Sequence, residues 1–190
     1  GDFAWNHLWF IAYLYVYALL LLPALLWWKK RGAGIRPGIW IYVLAIPLGV
    51  NEAVLRPLFP ESHTLISDWY IFNHYLLLTV YGFLMASISG CWDWLASHRW
   101  PVLVVALAVF ATALPLYETG IVPRGTAIDS IVANIFTWTT LLAFLAWGRR
   151  LLSFENPLLR WARDASYPIY ILHQTIIIAI GYFVIQRAWS

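Results

Sequence analysis

The chain has 190 residues, of which 62% are hydrophobic and 11% are charged, and its formal net charge is +3. A soluble domain needs more polar residues to cover its surface, so this composition, with a mean hydropathy of +0.71, excludes that class. The small net charge also excludes the basic footprint of a nucleic-acid-binding protein. Cys91 is the only cysteine, which excludes an internal disulfide and a cysteine cluster for a metal ion.

Six apolar segments fill most of the chain. A hydrocarbon core of about 30 Å needs about 20 mostly apolar residues per helix, and only a helix or a closed barrel satisfies its backbone groups in lipid. We therefore predict an all-α fold, a polytopic transmembrane helix bundle that forms one domain over residues 1–190. The predicted spans are Leu8–Trp28, Gly38–Leu55, Trp69–Ser89, Trp100–Tyr117, Ile128–Trp147 and Ala165–Gln186.

The lysine and arginine residues predict the orientation of these spans. Nine of the twelve lie on one side: four follow span one, one follows span three and four follow span five. Cytoplasmic loops carry the excess of positive charge, so we expect the chain to begin outside and span one to run inward. This pattern predicts a multi-pass protein of the inner, or plasma, membrane, with the lipid bilayer as its main partner.

Polar residues gather at the predicted outer ends of the spans. Charge inside a membrane is costly and tends to mark a ligand or ion path, so together they indicate an outer vestibule. Taken one at a time, such residues are as well explained by capping or snorkelling, and Asp68 and Asp129 are candidate helix N-caps. The polar set is Asn6, His7, Asn51, Glu52, Arg56, Asp68, Asn73, His74, Glu118, Asp129 and Asn134.

Two of these outer positions carry more specific predictions. Glu52 and Arg56 are four residues apart, which predicts an ion pair at a helix end, although Pro57 disfavours helical geometry at Arg56. Tyr70, His74 and Tyr81 share one stripe at helical spacing, so we expect His74 to face the bundle and not the lipid.

The last span carries a compact polar motif. We expect Pro168 in the first turn of this helix, with Asp164 or Ser166 as its cap, and a separate short surface helix or a plain loop over Gly148–Asp164. Tyr170, His173 and Gln174 then fall on one face. An imidazole in the membrane should point into the bundle and hold a hydrogen bond, so a structural histidine that ties two helices together is the alternative to a catalytic one.

Several of these segments resemble the membrane acyltransferase 3 family. The start, Asn6-His7-Leu8-Trp9-Phe10, is similar to its His-Leu-Trp-Phe-Leu signature. The segments Glu52–Pro60, Asp68-Trp69 and Gly82-Phe83-Leu84 resemble its glucan-succinylating branch, the glucan biosynthesis protein C type. The same holds for Gly148–Ser153 and Ser166–Gln174, so the resemblance runs over nearly the whole chain.

The resemblance implies a fold of about ten spans and an enzyme, an O-acyltransferase. Members of the family move an acyl group, such as succinyl or acetyl, from cytoplasmic acyl-CoA to a hydroxyl of an extracytoplasmic glucan or other carbohydrate. The chain would then be an internal piece, incomplete at both ends. The family's first spans, with the arginine and histidine motif implicated in catalysis, and its last span have no counterpart in this sequence.

The transfer of an acyl group to a hydroxyl needs a base that works near pH 7 and donors for the oxyanion that forms. We predict catalytic roles for His7, Glu52 and His173, with acyl-CoA as a cosubstrate and no bound cofactor or metal. The cytoplasmic arginines Arg149 and Arg150 are predicted to meet the acyl-CoA phosphates. Substrate contacts are predicted at Trp9, Asn51, Arg56, Asp68, His74, Tyr170 and Gln174.

Two rival classes fit parts of the sequence. A transporter or flippase of a carbohydrate or lipid-linked sugar would use the same polar rim, and it predicts paired helix interruptions in related halves. Pro47 and Gly49 interrupt span two without an evident partner. A haem-binding electron carrier needs two histidines at similar depth, whereas His74 and His173 are predicted near opposite faces.

Overall fold

The computed structural model describes residues 9–31, 34–59 and 67–188, and within these ranges all regular structure is helical. This confirms the all-α prediction for the described part of the chain. The helices in chain order are α1 (Trp9–Arg31), α2 (Trp40–Val43), α3 (Ala45–Leu55), α4 (Trp69–Ser87), α5 (Cys91–Ser97), α6 (Arg99–Glu118), α7 (Ala127–Leu151) and α8 (Pro157–Ala188).

The described part of the chain contains three to five candidate spans, and six were predicted. In the described ranges three helices are each long and apolar enough to cross a membrane: α1 over Phe10–Trp28, α6 and α7. The number rises to five if each of two bent pairs is one span, which joins α4 to α5 and the two parts of α8. Several helices can therefore span a membrane, and six spans are not confirmed.

Predicted span two is short and broken. Its helical part, Trp40–Leu55, has fewer residues than the about 20 that a 30 Å core requires, and it divides into α2 and α3 at Leu44. Pro47 has no N–H to donate to the carbonyl of Val43, and its ring crowds that carbonyl. The carbonyl of Ile41 instead accepts a 2.8 Å hydrogen bond from the buried indole Nε1 of Trp138 in α7.

The turn after α4 also departs from a simple span. Ile88 leaves the helical region with a ψ of 115°, and Gly90 takes a left-handed φ of 74°. A side chain would be strained at that φ, so glycine permits the turn. α5 then leaves at 91° to α4.

Helix α7 is the centre of the bundle and packs against α2, α3, α5 and α6. The closest approach is to α3, where an added Cβ on Gly49 would lie 2.9 Å from the Cα of Ile131. Small residues let helix backbones come together in this way in membrane proteins. The core around this contact includes Ile41, Leu48, Tyr81, Trp138 and Leu142.

The distribution of polar residues is that of a membrane bundle. The buried polar residues of the described ranges are Asn51, Asp68, Asn134 and Thr139, whereas many large apolar side chains of α1, α6 and α8 face outward. Such extensive exposed apolar surface is rare on a soluble monomer. It suits a chain whose surroundings are lipid.

Helices α1 and α4 meet through an aromatic cluster. Phe10 lies beside Tyr75, with ring centroids 5.5 Å apart, and Tyr17 lies beside Phe72 at 5.1 Å. The Tyr17 hydroxyl donates to the carbonyl of Phe72 at 2.6 Å, which fixes this pairing. The order of these contacts is antiparallel, whereas the predicted topology has both spans running inward from the outer face.

The last helix begins earlier than predicted. α8 starts at Pro157, where the side chain of Asn156 accepts from the N–H of Leu158 at 2.7 Å, and it continues through Pro168. The predicted caps Asp164 and Ser166 were wrong, because Asp164 pairs with Arg163 and the Ser166 hydroxyl donates to the Arg163 carbonyl. The predicted separate surface helix is thus the first part of α8, which bends by 53° around Gln174.

Candidate functional site

A carboxylate held by two other side chains marks one end of the bundle. Glu52 is the last charged residue of α3, and its side chain is 13% exposed. Its Oε1 accepts from Nη1 of Arg56 at 2.5 Å, and its Oε2 accepts from Nδ2 of Asn134 in α7 at 2.7 Å. The predicted ion pair at the helix exit is confirmed. We call this end, with the C-termini of α3 and α6 and the N-termini of α4 and α7, the Glu52 rim.

Arg56 keeps helical geometry despite the proline that follows it. Its φ and ψ are −59° and −39°, so the expected displacement by Pro57 was wrong. The reason is that Arg56 is the C-cap of α3, and its N–H still donates to the carbonyl of Glu52 at 3.1 Å. The i, i+4 spacing therefore places the guanidinium directly on the carboxylate.

A pair of asparagines ties α3 to α4 beside this carboxylate. Asn51 is 5% exposed, and its amide donates to the carbonyl of Tyr70 at 3.2 Å. Its carbonyl oxygen accepts from Nδ2 of Asn73 at 2.6 Å. Both ends of the buried Asn51 amide are therefore bonded to α4, which joins the two helices, and the substrate contact at Asn51 stays a prediction.

Asp68 is the N-cap of α4, as predicted. Its carboxylate accepts from the N–H of Ile71 at 3.4 Å, and the residue is 0% exposed. Asp68 therefore starts the helix, and its predicted contact with substrate stays a prediction.

An open polar cavity of about 440 Å³ lies beside the Glu52 carboxylate. Its walls combine two carboxylates, Glu52 and Asp129, with the guanidinium of Arg56 and the hydroxyls of Thr126 and Ser130. A carboxylate has about four lone-pair positions, and Glu52 uses two of them in the contacts above. The cavity can therefore offer both acceptors and donors to a polar ligand.

The second carboxylate of the cavity is fixed from the α6 side. Asp129 accepts from the Tyr117 hydroxyl at 2.8 Å and from the N–H of Gly125 at 2.7 Å. Thr126, not Asp129, is the N-cap of α7, since the Thr126 hydroxyl accepts from the N–H of Asp129 at 3.2 Å. The predicted cap at Asp129 was wrong because this carboxylate reaches back to α6 and the connecting loop.

His74 is connected to the rim through aromatic contacts. The guanidinium of Arg56 lies 5.7 Å from the ring centre of Tyr70, and the Tyr70 ring lies 5.9 Å from the ring of His74. His74 is half-buried, while Tyr70 and Tyr81 are buried, as expected for a stripe that faces the bundle. Of the predicted histidines in the described ranges, His74 is the one that these contacts bring toward Glu52.

The motif of the last span lies apart from this rim. The nitrogen Nδ1 of His173 contacts the carbonyl of Tyr170 in its own helix, and their rings are 5.5 Å apart. α8 forms no extensive packing with another helix in the described part of the chain. This contact of His173 lies within one helix, so a hydrogen bond that ties two helices through His173 stays a prediction, and Gln174 follows in the same helix.

The remaining predicted site residues divide between the far end of the bundle and the start of the chain. Arg149 pairs with Asp93 of α5 at 3.2 Å, and both side chains are well exposed. Arg150 follows it at the exposed end of α7. Trp9 is the first residue of α1, and His7 lies outside the described residues.

Four residues of the rim had no predicted catalytic or substrate-binding role. Asn134, Asp129, Ser130 and Thr126 surround Glu52 or line its cavity. The available signal was the polar content of the first two turns of an otherwise apolar span, which placed Asp129 and Asn134 at the outer face. Their pairing with Glu52 depends on how α3 and α7 cross, which local spacing does not specify.

Comparison with known proteins found no matching family model, no matching curated protein and no matching solved structure. In the described ranges, no three histidine, cysteine or acidic residues are grouped so that they could hold a metal ion. The chemistry of the Glu52 rim and the resemblance of the sequence motifs to the acyltransferase 3 family are therefore the basis for a proposed function.

Proposed function

We propose that this protein is an integral membrane O-acyltransferase. It transfers a succinyl or acetyl group from cytoplasmic acyl-CoA to a hydroxyl of an extracytoplasmic glucan or other carbohydrate. The observation that carries the proposal is the Glu52 carboxylate, which is mostly buried and held by two donors, yet lines an open polar cavity. The resemblance to the acyltransferase 3 family supplies the type of reaction.

The charges of the cavity favour the acceptor over the donor. Glu52 and Asp129 contribute two negative charges to its walls, and Arg56 contributes one positive charge. A net negative wall repels the phosphates of acyl-CoA and accepts hydrogen bonds from neutral hydroxyl groups. This pattern supports a polyhydroxyl acceptor at the Glu52 rim.

In the proposed transfer, the acceptor oxygen forms a bond to the acyl carbonyl carbon and the thioester C–S bond breaks. Glu52 takes the proton of the acceptor hydroxyl, and the proton leaves with the thiol of CoA. Arg56, which is about half exposed, turns remaining N–H groups toward the oxyanion that forms on the acyl carbonyl. Asn134 holds the carboxylate in place, so that it meets the hydroxyl in one orientation.

The donor side of the proposal rests on residues away from the rim. The exposed arginines Arg149 and Arg150 would meet the phosphates of acyl-CoA, and Tyr170 and His173 would line the path of the thioester. His7, which lies outside the described residues, is proposed as a second candidate base in addition to Glu52. His74 packs against the ring of Tyr70, and that ring packs against Arg56. His74 is therefore proposed as a residue that positions the Arg56 guanidinium.

The experiment that tests the proposal is acyl transfer in proteoliposomes. The full-length protein receives labelled succinyl-CoA or acetyl-CoA on one face and a glucan on the other. We expect covalent label on the glucan, and we expect Glu52→Gln to lower the rate about a hundredfold or more, which is the usual loss for a general base. Normal amounts of folded Glu52→Gln protein are required for this comparison.

The matched control is Glu118→Gln, which removes an exposed carboxylate at the same end of the bundle that does not line the cavity. We expect it to keep the transfer rate of the natural protein. Equal rates for both variants would remove Glu52 from the reaction, and absence of label on any carbohydrate would contradict the acyltransferase proposal.

A second candidate is a transporter or flippase of a carbohydrate or lipid-linked sugar. It is favoured by the interrupted helices, since α2 and α3 divide at Leu44 and α8 bends by 53°. Discontinuous helices are common at the binding sites of secondary transporters. Movement of unmodified glucan across the proteoliposome membrane, without covalent label, would favour this candidate.

A further inference from the structure

A long apolar groove runs along the outer surface between α6 and α7. One part has a volume of about 430 Å³ and is lined by Leu103, Leu107, Phe110, Phe136, Phe144 and Trp147, among others. A second part, of about 250 Å³, shares Phe110 and Phe136 with the first and continues to Tyr117 and Arg124. The two parts therefore form one groove, which we call the α6–α7 groove.

The two ends of this groove have the residues of a membrane interface. At the far end of the bundle, Trp147 packs edge-on against Trp100, and the guanidinium of Arg99 lies 5.8 Å from the Trp147 ring centre. At the Glu52 rim, the guanidinium of Arg124 lies 4.0 Å from the ring centre of Tyr117. Tryptophan, tyrosine and arginine are typical of the headgroup level.

Arg124 brings a positive charge to the rim end of the groove. In the described part of the chain no carboxylate lies within 4.0 Å of its guanidinium. The nearby Asp129 is already bonded to the Tyr117 hydroxyl and the Gly125 N–H. Five N–H donors in a planar fork are therefore available to an anion such as a phosphate.

The length of the groove fits one acyl chain. From Leu103 to Tyr117, α6 rises about 21 Å at 1.5 Å per residue, which is longer than the about 15 Å of one leaflet of a 30 Å hydrocarbon core. Its walls are almost wholly apolar, with Leu107 and Phe144 exposed at the edges. The apolar walls of the groove, with the guanidinium of Arg124 at the rim end, are complementary to an amphiphile that has an acyl chain and an anionic headgroup.

We infer that the α6–α7 groove binds one acyl chain of an anionic phospholipid, whose phosphate meets Arg124. This lipid belongs to the leaflet on the side of the Glu52 rim. The binding site is separate from the polar cavity that contains Glu52, because the Tyr117–Asp129 hydrogen bond lies between them. The inference therefore stands independently of the acyltransferase proposal.

The test combines lipid retention with lipid crosslinking. The protein is purified from vesicles that contain equal amounts of phosphatidylglycerol and phosphatidylcholine, and native mass spectrometry counts the lipids that remain bound. We expect one retained phosphatidylglycerol. A phosphatidylglycerol with a photoreactive acyl chain is expected to label peptides of α6 and α7 in preference to the exposed faces of α1 and α8.

Two variants and two controls decide the inference. Arg124→Gln should lower the affinity for phosphatidylglycerol about tenfold, the loss typical of one charge-assisted hydrogen bond, and Ala133→Leu should obstruct the groove and reduce retention of either lipid. Arg160→Gln, on α8, and Val104→Leu, on the lipid-facing side of α6, should leave retention unchanged. Equal labelling of all exposed helices, unaltered by Arg124→Gln, or occupation of the groove by a second protein copy would overturn the inference.

Discussion

The Glu52 rim and helix α8 are both rich in polar residues, but they are held together in different ways. At the rim, α3 is joined to α7 by Glu52 and Asn134 and to α4 by Asn51 and Tyr70. In α8, Asp164 and the Ser166 hydroxyl both bond to Arg163, one and three residues away in the chain. The comparison teaches that polar residues organise a bundle only where the backbones approach closely enough for bonds between helices.

The close approach of α3 and α7 allows the bonds between helices at the Glu52 rim. Disrupting this approach should cause the largest loss of stability. Gly49→Leu places a side chain against the backbone of Ile131, where even a Cβ would lie 2.9 Å from the Cα. We expect a loss of about 3 kcal/mol in the free energy of unfolding, the upper part of the usual range for overpacking. Denaturant unfolding in detergent micelles, followed by circular dichroism, measures it.

The matched control is Gly181→Leu in α8, where an added Cβ has no neighbour within 4 Å. We expect this variant to unfold at the same denaturant concentration as the natural protein or at a higher one, since leucine favours the helix over glycine. If both variants lost the same free energy of unfolding, the backbones of α3 and α7 would not be packed more tightly at Gly49 than α8 is at Gly181.

A smaller effect is expected from removing the donor that holds Glu52 from α7. Asn134→Leu removes the buried 2.7 Å hydrogen bond from Asn134 to the Glu52 carboxylate, which then has Arg56 as its remaining partner among the described residues. We expect a loss of about 2 kcal/mol, because a hydrogen bond to a charged group is worth more than a neutral one. Ser166→Ala, which removes an exposed hydrogen bond within α8, should change the unfolding free energy by less than about 0.5 kcal/mol in the same denaturant measurement.

A similar comparison applies to two tryptophans. Trp138→Phe removes the indole N–H that donates to the Ile41 carbonyl at the break between α2 and α3. We expect a loss of about 1 kcal/mol, near the average for one hydrogen bond between helices in a membrane protein. Trp161→Phe, at an exposed position of α8, should be neutral in the same denaturant unfolding measurement.

The smallest effect on stability is expected at the far end of the bundle, where Arg149 pairs with Asp93 between exposed side chains. Exposed ion pairs contribute about 0 to 1 kcal/mol, so Arg149→Gln should leave the unfolding free energy almost unchanged. If Arg149 meets acyl-CoA phosphates, the same variant should raise the KM for acyl-CoA several-fold with little change in kcat. An unchanged KM would remove Arg149 from the donor site.

The sequence predicted those features that depend on local spacing. Asp68 precedes an apolar run, which identifies it as a cap, and Glu52 and Arg56 are one turn apart, which places them in contact. The length of the apolar segments likewise predicted helices, because a backbone in lipid must satisfy its own hydrogen-bonding groups.

The features that the sequence did not predict depend on tertiary contacts or on competing local signals. Asn134 reaches Glu52 only because Gly49 lets α3 approach α7. The start of α8 was misplaced because Pro168 is a good first-turn residue, whereas Asn156 provides a cap eight residues before Asp164 and ten before Ser166. Pro47 indicated an interruption of span two, but the hydrogen bond from Trp138 to the Ile41 carbonyl beside the break depends on how α7 packs against α2.

The 82-residue separation of Glu52 and Asn134 has a consequence for biogenesis. At a synthesis rate of about 5–20 residues per second, α3 emerges roughly 4–16 s before its partner on α7. During that interval the carboxylate has only Arg56, which is made within the same turn and enters the membrane with it. The Arg56 guanidinium is thus the counterion of Glu52 from insertion onward. It compensates the charge of the carboxylate in the membrane until Asn134 of α7 adds the second hydrogen bond.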